Sequence, residues 1–200
     1  MPGTEFSPSI ASRPVYDGLK SQGAAPTLIL AKAEGAEAVL DLAARDPAVM
    51  TQAHLIFIVA GTDYGPRLAA LKPKIYSEVP TYGTAIDRYR SALATACMGT
   101  RLYLAGSEGL IGEAMAIAMA AGLPLDAIST EHRGPIARRM QCVHCKGITE
   151  DVTTDPFTCA HCGLTLFVRD HYSRRLAAFQ GVCVDAETPG IIPEQQEIRP

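Results

Sequence analysis

The chain reads as an α/β protein, a five-stranded parallel sheet followed by a small module built on four cysteines. Three observations predict this. Short apolar runs alternate with amphipathic segments over residues 26–132, the pattern of strands joined by crossover helices. Four of the six cysteines lie between residues 142 and 162, in two Cys-x-x-Cys pairs. The charge balance also changes sign where those cysteines begin: residues 1–131 sum to −3, residues 132–183 to +3 and residues 184–200 to −3.

Residues 1–25 carry Pro2, Pro8 and Pro14 among Gly and Ser with no sustained period, and are read as an extended arm. Residues 27–31 are a short apolar run of buried-strand type. Residues 35–45 place Ala36, Val39, Leu40 and Ala43 at helical spacing, and Asp46-Pro47 closes that helix. Residues 54–59 are apolar throughout, as a central parallel strand is. A short helix is expected over 65–71, with Pro66 in its first turn, then a strand over 74–78 and a helix over 83–98 with Ile86, Tyr89, Leu93 and Cys97 on one side. A fourth strand over 101–105 leads through Gly106-Ser107-Glu108-Gly109 into a helix over 110–121. Gly122 supplies a helix C-terminus, and 125–129 gives the fifth strand. The domains expected are thus an arm (1–25), an α/β domain (26–132), a four-cysteine metal-ribbon module (133–185) and a C-terminal arm (186–200).

Composition limits the function classes. At 48% hydrophobic and 20% charged residues the chain is neither disordered nor fibrous. The longest apolar run, residues 114–121, falls well short of the roughly 20 residues that span a bilayer. No charged segment leads into an apolar one at the start. The expectation is a cytoplasmic protein with no membrane contact.

Cys142-Val-His-Cys145 and Cys159-Ala-His-Cys162 carry the most specific signal. Each pair can curl into a turn whose amides point at the sulfurs, and two such turns present four thiolates to one cation. Cys142, Cys145, Cys159 and Cys162 are therefore the expected metal ligands. Zinc is the first expectation, as a clip for a short module with little apolar content. Iron, in a rubredoxin-like electron relay, uses the same sulfurs and is the alternative. Gly163 follows the second pair directly, whereas Lys146-Gly147 follows the first, one residue out of step. His144 and His161, at matching places in the two pairs, are read as exposed turn residues, and His171 as part of a surface turn. Cys97 is expected in the core of the α/β domain, and Cys183 buried beneath the ribbon. The cluster Arg133, Arg138, Arg139, Lys146, Arg169, Arg174 and Arg175 is read as a solvated face or a docking surface for an acidic partner. A nucleic-acid reader is the weaker alternative, because no aromatic residues interleave with the cations.

The parallel sheet raises the question of a dinucleotide, which needs a glycine-rich turn at a helix start. The three candidate turns are Lys32-Ala33-Glu34-Gly35-Ala36, Gly61-Thr62-Asp63-Tyr64-Gly65 and Ala105-Gly106-Ser107-Glu108-Gly109. Each sets a carboxylate where a pyrophosphate would lie. No nucleotide-binding residue is expected, and no catalytic residue, since no paired carboxylates, open metal site or nucleophile with a base can be read.

The segment from Leu102 to Gly109, with Gly122 and Ile128-Ser129-Thr130-Glu131, resembles the end of the pyridine-nucleotide domain of ferredoxin reductases. Ala105 stands where that family has its nicotinamide-contacting cysteine, and Ser107 where it has proline. The two cysteine pairs, followed by residues 166–175 and 179–187, resemble the small-subunit family of dimethylamine monooxygenase, and with the preceding domain the likeness spans residues 27–187. It implies a subunit of a complex that uses NADPH and O2 to convert dimethylamine to methylamine and formaldehyde. It also implies flavin, iron–sulfur and haem centres on reductase and oxygenase chains. On that resemblance the chain is expected to be a non-catalytic assembly subunit. A rubredoxin-like electron-transfer subunit is the first alternative and a zinc-ribbon nucleic-acid module the second.

Overall fold

A computed structural model describes residues 13–187 and 189–198. They form two compact units, one running from Tyr16 to Ala137 and the other built on the chain from Arg138 onward.

In the first unit, strands β1 (Thr27–Lys32), β2 (Ala53–Ile58), β3 (Ile75–Val79), β4 (Arg101–Gly106) and β5 (Ile128–His132) alternate with helices α1 (Gly35–Arg45), α2 (Gly65–Ala69), α3 (Tyr82–Ala94) and α4 (Glu108–Ala120). All strand pairs are parallel, in the order β3-β2-β1-β4-β5. β1, β2 and β4 are buried almost end to end, because helices cover both faces. On one face Ile29, Leu55, Phe57 and Tyr103 pack with Val39 and Leu42 of α1. On the other, Leu30, Ile56 and Leu104 pack with Tyr89 of α3 and Ile111 of α4. Each fully buried Leu, Ile or Phe contributes about 1.5–3 kcal/mol.

Three features differ from the sequence expectation. The helix expected to reach Met98 ends at Ala94, because the Thr95 hydroxyl turns back to the Ala92 carbonyl (3.0 Å) and Thr100 Oγ1 accepts from Cys97 N (3.1 Å). Cys97 is consequently exposed instead of lying in the core. The fifth strand starts at Ile128, since Pro124 leads residues 125–127 into a 3-10 turn. The segment ahead of β1 is tied to the sheet from Tyr16. Gly18 N donates to Thr130 O (3.2 Å), Leu19 N to Glu131 Oε2 (2.9 Å) and Gln22 N to the Tyr103 hydroxyl (3.1 Å), and the Leu19 side chain is buried. It covers the edge strand β5, whose amides and carbonyls otherwise invite pairing with another chain.

The second unit holds β6 (Arg138–Cys142), β7 (Ile148–Val152), β8 (Thr154–Asp155), β9 (Phe157–Thr158), β10 (Thr165–Ser173), β11 (Ala178–Cys183) and β12 (Gln196–Glu197). Five strands form a sheet in the order β7-β6-β11-β10-β9. Its core is small, comprising Met140, Val152, Phe157, Leu166, Tyr172 and Phe179 with Cys142 and Cys159. A Cβ on Gly181 would come within 2.8 Å of Phe157 and 3.0 Å of Leu166, so β11 crosses this core only as glycine. The tail returns as β12 to pair with β8, and Ile198 N donates to Thr153 O (2.9 Å). Residues 196–198 are thus held against residues 153–155 in a separate two-stranded pairing. Of the arm expected over residues 1–25, residues 1–12 lie outside the described residues.

Candidate metal centre

The two cysteine pairs sit at the tips of two hairpins, β6–β7 and β9–β10, and close in the same way. Cys142 N donates to Gly147 O (3.0 Å) and Lys146 N back to Cys142 O (3.0 Å). Cys159 N donates to Leu164 O (2.9 Å) and Gly163 N back to Cys159 O (3.0 Å). The residue after each second cysteine takes left-handed backbone, Gly163 at φ 74° and Lys146 at φ 63°. Glycine adopts this readily and lysine does so at a cost of roughly 1–2 kcal/mol.

The displaced glycine of the first turn has a packing role. A Cβ on Gly147 would lie 2.5 Å from Cδ2 and 2.6 Å from Cγ of His161. The His161 ring, from the other turn, lies against Gly147 and its Nε2 reaches Ile148 O at 2.7 Å. His161 therefore bridges the two turns instead of ligating an ion. His144 is exposed.

The four sulfurs lie within 4.8 Å of one another, with Cys142 Sγ to Cys162 Sγ at 3.8 Å and Cys145 Sγ to Cys159 Sγ at 3.7 Å. A tetrahedron with metal–sulfur bonds of about 2.3 Å has edges of about 3.8 Å. The site thus fits one tetrahedral ion and leaves it no open coordination position. Such a site can hold a fold together or pass an electron. It cannot polarise a substrate.

Electrostatics favours filling the site. Burial raises the Cys159 thiol, but the amides of Cys162 and His161 and the facing thiols outweigh it and bring Cys159 to about 6. The Leu164 amide lowers Cys162, yet burial and the thiols of Cys159, Cys145 and Cys142 push it up to about 12. One sulfur ionises early and another late because the Cys159 thiolate accepts hydrogen bonds that its neighbouring thiols donate. A divalent cation would take the place of those shared protons. Cys142 and Cys159 are buried, Cys162 is half-buried and Cys145 faces solvent.

Cys183, at the end of β11, is half-buried and donates to Asp185 Oδ1 (3.0 Å). That hydrogen bond raises its thiol further, so it is a poor nucleophile. His171 lies within strand β10, at a register irregularity between Arg169 and Tyr172, rather than in a turn. Much of the basic cluster is engaged internally. Arg133 bonds Glu131 (2.8 Å from Nε) and Asp41 (3.0 Å). The buried Arg138 pairs with Asp170 (2.8 Å) and stacks 4.5 Å over Phe179, and Arg139 pairs with Glu150 (3.2 Å). Nothing in the sequence marked the Arg138 stack or the His161–Gly147 contact, although the matched histidines and the Lys-Gly order were its visible traces.

The crevice where the strand order reverses, between β1 and β4, is crowded. An added Cβ on Gly35, the first residue of α1, would collide with the Ala105 carbonyl. Glu34 stands at the N-cap position of that helix without a side-chain capping bond, and a Cβ on Gly134 would lie 3.1 Å from the Glu34 carboxylate. Arg133 N donates to Gly106 O (3.1 Å), drawing the connector back over the β4–α4 turn.

Comparisons with known proteins bear on the family of the chain. A curated relative, the heme-dependent oxidative N-demethylase delta subunit of Ectopseudomonas mendocina (strain ymp), is 35% identical over 136 residues, covering 65% of this chain and 78% of the relative. The crystal structure of an intact type IV self-sufficient cytochrome P450 monooxygenase aligns at a TM-score of 0.46 and 15% identity, over 80% of this chain and 21% of that one. That likeness is too weak to carry an argument. Residues 8–128 match the N-terminal domain described as dimethylamine monooxygenase subunit DmmA-like, and residues 139–182, with all four clustered cysteines, match the C-terminal domain of the same description. The chain belongs to the DmmA-like family of dimethylamine monooxygenase subunits.

Proposed function

We propose that this chain is a non-catalytic assembly subunit of a cytoplasmic N-demethylating monooxygenase, with a structural zinc on Cys142, Cys145, Cys159 and Cys162. The complex uses NADPH and O2 to turn dimethylamine into methylamine and formaldehyde. Flavin, iron–sulfur and haem chemistry belongs to its reductase and oxygenase chains. The observation that carries this reading is the closed four-sulfur tetrahedron, which offers substrate no coordination position. The crowded crevice between β1 and β4 supports the same view, since a pyrophosphate there would meet Glu34. A zinc ion would be held by the four thiolates and supply folding free energy to a unit whose own core is small.

The test is the metal content of the purified chain, with a visible spectrum and NADPH calorimetry on the same sample. One zinc per chain, no colour and no heat of NADPH binding are the expected results. Saturable NADPH binding would refute the non-catalytic reading. A second reading, an iron electron relay between reductase and oxygenase, is favoured by the solvent-facing Cys145, through which an electron could leave. It requires one iron per chain and thiolate-to-iron absorption that bleaches on reduction.

A further inference from the structure

The sheet of the first unit has two edge strands, β3 and β5, and the chain treats them differently. The segment ahead of β1 covers β5, whereas among the described residues no strand lies beyond β3. Val79 O accepts from Val59 N (3.1 Å). Ile75, Ser77 and Val79 therefore turn their amides and carbonyls towards β2, and Tyr76 and Glu78 turn theirs outward. Ile75 keeps 48% of its surface in solvent. Glu78 is exposed, as is Lys74 just ahead of the strand. Lys74 Nζ donates to Gln52 Oε1 (2.8 Å) and Glu78 Oε2 accepts from the Tyr76 hydroxyl (2.8 Å). Neither forms an ion pair among the described residues. A bare edge with unpaired amides is a template for another strand.

We infer that β3 is a dimerisation edge, which pairs antiparallel with β3 of a second copy about a two-fold axis at Tyr76 and makes one continuous sheet. The charge pattern selects this occupant. Antiparallel pairing centred on Tyr76 sets Lys74 opposite Glu78 of the second copy, and by symmetry Glu78 opposite Lys74. Ile75 then faces Ser77, whose small side chain leaves it room, and Tyr76 faces its own counterpart. Parallel pairing of the two strands would instead set Lys74 beside Lys74 and Glu78 beside Glu78. A slip of two residues, the least that keeps every side chain on its face of the sheet, would set Lys74 opposite Tyr76 or Pro80. A strand of another protein would have to carry an ammonium and a carboxylate at this same spacing, and a second copy always does. Pro73 and Pro80 bound the edge and keep the contact short, so the dimer is a weak one, dissociating in the micromolar range. The inference does not depend on the proposed function and adds to it that the chain enters its complex as a pair.

The test uses the full chain in three forms, wild type, Lys74→Glu and Glu78→Lys, by analytical ultracentrifugation at rising concentration. Wild type should pass from monomer to dimer. Each variant alone sets like charges opposite one another twice and should associate about thirtyfold more weakly. An equimolar mixture of the two variants sets Glu opposite Lys at both places and should recover association near that of wild type. Hydrogen exchange on the wild-type chain supplies a second readout. The amides of Tyr76 and Glu78 should slow as concentration rises, while those of Ser77 and Val79, already bonded to β2, should not change. Circular dichroism reports folding of the variants. If Glu78→Lys does not fold, Lys74→Glu and the exchange measurement decide. A wild-type chain that stays monomeric up to about a millimolar, a mixture no better than its components, or a dimer whose Tyr76 and Glu78 amides exchange at the monomer rate overturns the inference and leaves the proposed function standing. Slowing of those two amides only when the other subunits are added gives the edge to one of them and likewise overturns it.

Discussion

Gly147 offers a direct test of how the two cysteine turns are coupled. Its replacement by alanine would set a Cβ 2.5 Å from Cδ2, 2.6 Å from Cγ and 3.0 Å from Cβ of His161. Two ring atoms and the methylene that carries the ring are involved, so rotation of the ring about its own bond does not relieve the overlap and the side chain must move away. Its departure breaks the 2.7 Å contact between Nε2 and Ile148 O, worth about 1 kcal/mol. Overpacking of this kind costs about 1–3 kcal/mol in total. If the turns are held together mainly by the ion and this contact, the loss appears as weaker metal retention, about ten- to a hundredfold. The assay is competition with a chromogenic chelator at neutral pH. Two comparisons sharpen it. Lys146→Gly relieves left-handed backbone at φ 63° and should retain metal at least as well as wild type. His161→Ala combined with Gly147→Ala removes the ring that clashes and should recover part of the loss. Wild-type retention by Gly147→Ala, or a double variant no better than the single, would refute the coupling.

Three further outcomes follow from the geometry. Leu19→Ala should lower stability by about 2–4 kcal/mol in urea denaturation, because this buried residue holds the covering segment on β5; a change below half that would mean the segment is dispensable to the unit. Arg138→Ala should destabilise the second unit by about 2 kcal/mol, through lost stacking on Phe179 more than loss of its pair with half-exposed Asp170, and Arg138→Met should recover much of that by thermal melt. Burial, with a contribution from Arg88, holds His54 below its ordinary 6.5. The unfolded chain then takes up that proton more readily than the folded one, so stability is full above pH 6.5 and declines as pH falls through the depressed value. His54→Thr should flatten that part of the stability profile, and an unchanged slope would remove His54 as its origin.

The elements that were legible in the sequence are those fixed by local chemistry. The helix over 35–45 was readable to the residue, because small and apolar side chains recur at helical spacing and Asp46-Pro47 ends it. The gathering of the four cysteines was readable because Cys-x-x-Cys encodes its own turn. Misreadings arose where a distant or weak contact decided. Apolar spacing carried the α3 reading on to Cys97, but the hydroxyls of Thr95 and Thr100 end the helix first. Residues 16–22 look like an arm because their partners, Thr130, Glu131 and Tyr103, lie more than eighty positions away. Gly147 looked like a misplaced turn glycine because its reason is a side chain of the other turn.

The acidic residues around Arg133 in the first unit have a structural role. In doubly wound sheets ligands bind outside the carboxyl ends of the strands, at the point where strand order reverses. Here that point is flanked by Glu34, and Arg133 beside it draws in Glu131, Asp41 and Glu37, at 2.6, 3.0 and 3.9 Å. Glu37, Asp41 and Glu131 are thus the counter-charges of the guanidinium that closes the connector over the sheet. A glycine restored at position 34 would remove one carboxylate. It would leave Gly134 over the turn and Arg133 N still bonded to Gly106 O. Clearing the crevice would require Arg133 to go as well, and that would leave three carboxylates facing one another without a cation. The acidic character of this crevice therefore involves several residues and not Glu34 alone.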